Sequence, residues 1–134
     1  MLRDPYSLLP AFGPVPEESS VLVTGILADE TGAPLTTLDS LTATLFDRVT
    51  IRILNGRHEQ SILNTNGGAF DPTTGRVTLL LTPADSIVVD QRSWTEEHIL
   101  RLDFAFTPAG GPQRTGRYAM VLRVQNLEQL SEAR

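Results

Sequence analysis

Apolar and polar residues alternate one by one in several short runs of this chain, and this two-residue period constrains its fold more than any other feature. Within residues 98–106, Leu100 and Leu102 lie on one face of the run. Arg101 and Asp103 lie on the other. Such alternation predicts a β-strand that buries one face and exposes the other. No run has the three- to four-residue apolar period of a long amphipathic helix.

Similar runs predict about seven strands, separated by turns rich in Gly, Asn, Asp and Pro. Residues 64–75 are predicted to form a loop because they contain three Gly and two Asn. Pro83 is predicted to open a single helical turn, with Thr82 as its cap and Asp85 in its first turn. The predicted strands are residues 21–27, 41–46, 49–54, 59–63, 76–82, 98–106 and 116–124. Short strands at this spacing predict an all-β, antiparallel β-sandwich.

Residues 1–19 are predicted to form an extended, Pro-rich N-terminal arm, followed by the sandwich at 20–127 and a polar C-terminal tail at 128–134. The prolines exclude a helix and cannot donate to a sheet. The arm is nevertheless apolar, whereas a free tail is usually polar. It therefore lies on a protein surface, either on its own domain or on a neighbouring subunit. Its candidate partner-binding residues are Leu2, Tyr6, Leu8, Leu9 and Phe12.

Composition excludes several classes of protein. The 134 residues fit one domain, and the absence of Cys excludes disulfides and thiolate chemistry. The net charge is −5 and every one of the 11 basic residues is Arg. No basic stripe suggests a nucleic-acid partner. Neither a secretory signal nor an apolar run of about 18 residues is present, so we expect no membrane partner and a cytoplasmic site of synthesis.

The sequence has no recognisable catalytic or metal-binding pattern. His58 and His98 do not form the clusters with acids that zinc requires, and we expect both at the surface or at strand ends. Asp29 belongs to a strand end and turn rather than to an acid pair. We therefore expect no enzyme activity, no cofactor and no metal. Arg92 and Trp94 are candidate partner-binding residues, since Trp and Arg are frequent interface anchors; a core position for Trp94 stays open.

Three segments together resemble small immunoglobulin-like domains of tailed phages. They are "VLVTGILADETGAPLTTLDSLTATLFD" at 21–47, "FDPTTGRVTLLLTPADSIVV" at 70–89 and "EEHILRLDFAFTPAGGPQRTGRYAMVLRV" at 96–124. The resemblance is to the N-terminal domain of phage baseplate upper proteins and to small structural proteins encoded among head and tail genes. It implies an immunoglobulin-like fold for the sandwich and no catalytic residues.

The resemblance implies a non-enzymatic virion structural protein that binds other virion subunits. Baseplate upper proteins continue into a further region, so the single domain favours a capsid decoration protein or a head–tail or tail accessory protein. The expected partners are major capsid, portal, neck or tail subunits, and the expected location is the virion, assembled in the bacterial cytoplasm. Multiple copies follow from virion symmetry. The alternative is a carbohydrate- or host-surface-binding module that uses the 64–75 loop and Trp94.

Overall fold

The computed structural model describes residues 11–92 and 94–127 of the chain. This part forms eight strands and one short 3-10 turn. Their bounds are β1 Ala11–Pro16, β2 Val21–Ile26, β3 Ser40–Asp47, β4 Gln60–Ser61, β5 Gly68–Asp71, β6 Arg76–Leu81, the 3-10 turn Pro83–Ser86, β7 Thr95–Phe106 and β8 Arg114–Gln125. Within these ranges no helix is long and apolar enough to cross a membrane.

The strands form two sheets, which confirms the predicted all-β sandwich. The five-stranded sheet has the order β1-β8-β7-β3-β4, and the three-stranded sheet has the order β2-β6-β5. All pairings are antiparallel except that of β1 with β8, which is parallel. The immunoglobulin-like assignment stays a prediction.

The predicted alternation places the core between the two sheets. Leu41, Ala43 and Leu45 of β3 are fully buried, and Leu100 of β7 joins them. The three-stranded sheet contributes Val23, Val77, Leu79 and Leu81 to the same cluster. A smaller cluster of Phe46, Ile99 and Val121 lies on the opposite face of the five-stranded sheet, where Ile53 packs against it. The core therefore follows from the two-residue period of the sequence.

Part of the predicted arm belongs to the sandwich. Ala11–Pro16 pairs with β8, and Val15 is buried there. Pro is tolerated at this place because β1 is an edge strand, where a missing donor faces no neighbour. For residues 11–16 the arm thus packs on its own domain. Residues 1–10 and the predicted tail 128–134 lie outside the described residues.

The strand predicted at 49–54 is wrong. Val49 and Ile51 are exposed, and Ile51 has a φ of 60°, which no strand adopts. Asp47 reverses the chain at this point, because its Oδ2 accepts hydrogen bonds from the backbone N–H and the hydroxyl of Thr50, both at 2.8 Å. Only an isolated bridge between Phe46 and Ile53 remains. Local turn chemistry overrides the apparent alternation.

The loop predicted at 64–75 contains a strand, and β7 begins at Thr95, three residues before the predicted start at His98. Gly68–Asp71 pairs with β6 as a hairpin, and Asp71 Oδ1 accepts the backbone N–H of Thr73 in the turn. A Cβ on Gly68 would lie 2.0 Å from the carbonyl oxygen of Ile62, so this glycine permits close packing. The 3-10 turn at Pro83–Ser86 is confirmed.

Candidate functional sites

The predicted partner-binding residues fall in two places. Leu2, Tyr6, Leu8 and Leu9 lie outside the described residues. Phe12 lies in β1, opposite Leu122 of β8. The structure therefore positions only the last of the five arm residues, at the edge of the five-stranded sheet.

Arg92 and Trp94 lie in the segment before β7. Arg92 is exposed, and its Nε donates to Asp90 Oδ1 at 3.1 Å. Hydrogen bonds from Arg92 hold the pKa of Asp90 below its ordinary value. Trp94 is 50% exposed, so it is not a core residue, and its carbonyl accepts the N–H of Asn126 at 2.9 Å. The two side chains remain available to a partner.

The glycan-binding alternative requires Trp94 and residues 64–75 to act together. Gly68–Asp71 belongs to the three-stranded sheet. Trp94 directly precedes β7, a central strand of the five-stranded sheet. The two predicted elements of that site are thus attached to different sheets.

An apolar slot lies between the edges of β2 and β8, and the sequence did not predict it. β2 is an edge strand of the three-stranded sheet. β1 pairs only with Val121 to Gln125 of β8, so among the described residues the stretch 114–120 has β7 as its sole neighbour. The slot has a volume of about 80 Å³. Its lining includes Ile26, Leu102, Tyr118 and Met120.

Exposed apolar side chains lie on the outer face of the three-stranded sheet. Leu22 and Leu80 form a cross-strand pair on the outer face of that sheet, and both are about half exposed. Ile26, which also lines the slot, is 52% exposed. Large exposed apolar patches are typical of protein-binding sites, but here Thr24 and Thr78 separate the Leu22 and Leu80 pair from Ile26. The signal was present in the sequence, because residues 21–27 are apolar on both faces.

A buried ion pair connects the segment after β3 with the 3-10 turn. Arg57 Nε and Nη2 donate to the two oxygens of Asp85 at 2.6 and 3.0 Å. Asn55 and the backbone N–H of Thr82 also donate to this carboxylate. Burial of Asp85 raises its pKa, but these hydrogen bonds outweigh it and hold the pKa below its ordinary value. Every polar atom of the carboxylate has a partner, which indicates a structural role.

A second buried polar cluster corrects two predictions: that His98 lies at the surface or at a strand end, and that it forms no cluster with acids. His98 is fully buried within β7, whereas His58 is exposed as expected. Asp47, Glu96 and His98 each place one ligand atom within 4.8 Å of the others. Two atoms of this trio, Asp47 Oδ1 and His98 Nδ1, are buried without a hydrogen-bond partner. The arrangement has the residue types of a cation site and, in Asp47 Oδ1, a spare ligand atom.

β-Sheet register brings this trio together. Asp47 at the end of β3 lies opposite His98 of β7, and Glu96 lies two residues away on the same face. A signal existed in the sequence: the three polar residues occupy inward positions that continue the apolar faces of Leu45 and Leu100. Asp47 and Glu96 also line a cleft of about 550 Å³ that connects the cluster with the surface.

Comparison with known proteins gave no match: no family model, no curated protein and no solved structure is significantly similar to this chain.

Proposed function

We propose that this protein is a non-enzymatic virion structural protein of a tailed bacteriophage, which binds other virion subunits as a capsid decoration or head–tail or tail accessory protein. The observation that carries the proposal is the edge of β8 at residues 114–120, which pairs only with β7 among the described residues and lies next to an apolar slot. The resemblance of residues 20–127 to immunoglobulin-like phage domains supplies the class of partner.

The proposed occupant of the slot is an extended apolar segment of a neighbouring virion subunit. An exposed strand edge offers backbone N–H and C=O groups to an added strand, and side-chain pockets supply specificity. The lining of the slot is mainly apolar, with Ile26 and Met120 at its sides. An added apolar strand would pair with the backbone N–H and C=O groups at the edge of β8. It would also cover these side chains.

β1 provides a precedent within the molecule. This short, Pro-containing, apolar segment already binds the same edge of β8, in parallel, over Val121 to Gln125. The rest of the edge offers a similar surface. Residues 1–10 of the same chain are the alternative occupant, because the register of β1 would continue onto Met120. The experiments below distinguish the two occupants.

The first test uses particle incorporation of a slot variant. Tyr118→Asp places a charge at the mouth of the slot, where Tyr118 is 47% exposed and the fold should tolerate the change. Ile87→Asp is the matched control, because Ile87 is 46% exposed and does not line the slot. We expect wild type and Ile87→Asp in purified particles, and at least tenfold less Tyr118→Asp.

The possible outcomes distinguish a failure of the proposed virion function from a failure of the slot as its binding surface. Absence of the wild-type chain from purified particles would overturn the virion function itself. Equal incorporation of Tyr118→Asp and Ile87→Asp would leave that function standing and refute the slot as its binding surface. Deletion of residues 1–10 completes the test: a large loss of stability in the isolated protein would show that the chain's own arm fills the slot.

Trp94 supports a second candidate, the carbohydrate- or host-surface-binding module. The ring is half exposed, and exposed aromatic rings stack on the apolar faces of sugars. Glycan-array binding by the wild type that is lost in Trp94→Ala would favour this function. Binding that persists in Trp94→Ala, or no binding at all, would exclude Trp94 as a glycan contact.

A further inference from the structure

We infer that Asp47, Glu96 and His98 form a binding site for one divalent transition-metal ion, with Zn²⁺ as the preferred ion. The three residues are buried and offer two carboxylates and one imidazole within 4.8 Å of one another. The site is separate from the slot between β2 and β8, and the inference does not depend on the virion function.

Hydrogen bonds from other groups already hold each ligand in place. Thr50 donates twice to Asp47 Oδ2, so the carboxylate is fixed while its Oδ1 stays unused. The backbone N–H groups of Val89 and Asp90 donate to Glu96 Oε1 and Oε2, at 2.6 and 2.8 Å. Metal ligands in proteins are typically oriented by such outer hydrogen bonds.

His98 is fixed in the same way. Its Nε2 lies 2.6 Å from Glu96 Oε1, and its Nδ1 has no partner although the side chain is fully buried. A buried polar atom without a partner costs about 1–3 kcal/mol, and native structures contain few of them. Of the two such atoms in this cluster, Asp47 Oδ1 is satisfied if a cation binds it together with Glu96 and with Nε2 of His98, the ring nitrogen that faces Glu96.

The ligand types select the ion. Imidazole suits Zn²⁺, Cu²⁺, Fe²⁺ and Ni²⁺, whereas carboxylates also suit Mg²⁺, Ca²⁺ and Mn²⁺. Zn²⁺ accepts both types and binds three protein ligands with a fourth position open. The cleft lined by Asp47 and Glu96 gives an ion access from solvent. Zinc ligand atoms lie roughly 3.3 Å apart, so the three side chains need to draw together slightly on binding.

Isothermal titration calorimetry of the untagged full-length chain with ZnCl₂ tests the site. We expect one Zn²⁺ per chain and a rise of the melting temperature with zinc concentration. Asp47→Asn keeps an oxygen acceptor for Thr50 and should weaken zinc binding at least tenfold. Glu97→Gln is the matched control: Glu97 lines the same cleft but is not one of the trio, so this variant should bind like the wild type.

X-ray absorption of the zinc-loaded wild type gives a readout that does not depend on a variant folding. We expect a nitrogen and oxygen shell with one imidazole, and the imidazole signal should persist in His58→Gln. No zinc binding by the wild type, undiminished binding by Asp47→Asn, or loss of the imidazole signal in His58→Gln would each overturn the site. Tighter binding of Ca²⁺ than of Zn²⁺ would overturn the choice of ion.

Discussion

The two halves of β8 differ in their neighbours and therefore in their burial. Val121, Leu122 and Val124 are buried in the half that pairs with β1, whereas Tyr118 in the other half is about half exposed. The inward alternation of the sequence runs through both halves without interruption. The half that pairs with β1, the covered half, is a completed part of the core. The other half, the uncovered half, has the composition of a core strand but no second neighbour within residues 11–92 and 94–127.

This difference explains why the slot lies where it does. β1 ends its pairing at Ala11, opposite Val121, and Met120 is the first residue of β8 beyond it. On the other side of the slot, β2 presents the free edge of the three-stranded sheet. Under the proposal above, this surface receives an extended segment of another subunit, since unprotected edges otherwise favour aggregation.

The largest expected effect comes from the ion pair that supports the covered half. Asp85 and Val15 line one small cavity there, and Arg57 holds Asp85. Arg57→Met leaves a buried carboxylate without its cation and should lower the free energy of unfolding by about 3–5 kcal/mol. Arg117→Met, on the uncovered half, removes a more exposed partner of Asp103 and should cost about 0–1 kcal/mol. Urea titration of both variants measures the difference; equal losses would refute the comparison.

Truncation of apolar side chains compares the two halves directly. Leu122→Ala empties a position that is 3% exposed and should destabilise the protein by about 2–5 kcal/mol. Tyr118→Ala removes a half-exposed ring and should change stability by only about 0.5 kcal/mol, as surface substitutions do. Thermal and chemical unfolding give both values. A loss of similar size for Tyr118→Ala would mean that the uncovered half is packed in the isolated chain.

A third prediction concerns the attachment of β1 itself. Gly13 has a φ of 114°, and a Cβ there would lie 2.6 Å from the carbonyl oxygen of Arg123 in β8. Gly13→Ala should therefore destabilise the protein by about 1–3 kcal/mol through strain and overpacking. Gly25→Ala is the control, because nothing lies within 4 Å of its Cβ; its stability should equal or slightly exceed that of the wild type. Hydrogen exchange at Val121 to Gln125 should rise only in Gly13→Ala.

The smallest effect is a pH dependence on the uncovered half. Partial burial of Asp103 raises its pKa, but hydrogen bonds from Arg117 and Arg101 outweigh it and hold the pKa below its ordinary value. Such a carboxylate contributes stability that is fully present above the unfolded pKa of about 3.9 and is lost as the pH falls through the lower folded value. Stability of Arg117→Met should therefore decline less than that of the wild type between about pH 5 and 3, by at most about 1 kcal/mol. Identical pH profiles would show that the Arg117 contact is absent in solution.

The sequence predicts the long strands because alternation is a local signal. β3, β6, β7 and β8 all lie where the two-residue period places them, and the capped turn at Pro83 follows from its own residues. The strand predicted from this period at Val49 and Ile51 was wrong, because turn chemistry opposes a strand there. It also gave no warning of β1, since prolines normally argue against a strand unless it lies at an edge.

The candidate sites were harder to predict because they depend on pairing between distant residues. Asp47 and His98 are brought together only by the register of β3 with β7, and their separation in the sequence does not indicate this pairing. The available signal was a polar residue at an inward position, which His98 occupies. The slot depends on where the pairing of β1 with β8 ends, and this too is set by the tertiary structure.

A cryo-EM map of the parent particle tests the central proposal most directly. We expect density for this chain with an extended strand of a neighbouring subunit along residues 114–120 of β8. A map in which that edge faces solvent, or in which residues 1–10 of the same chain fill the slot, would contradict it.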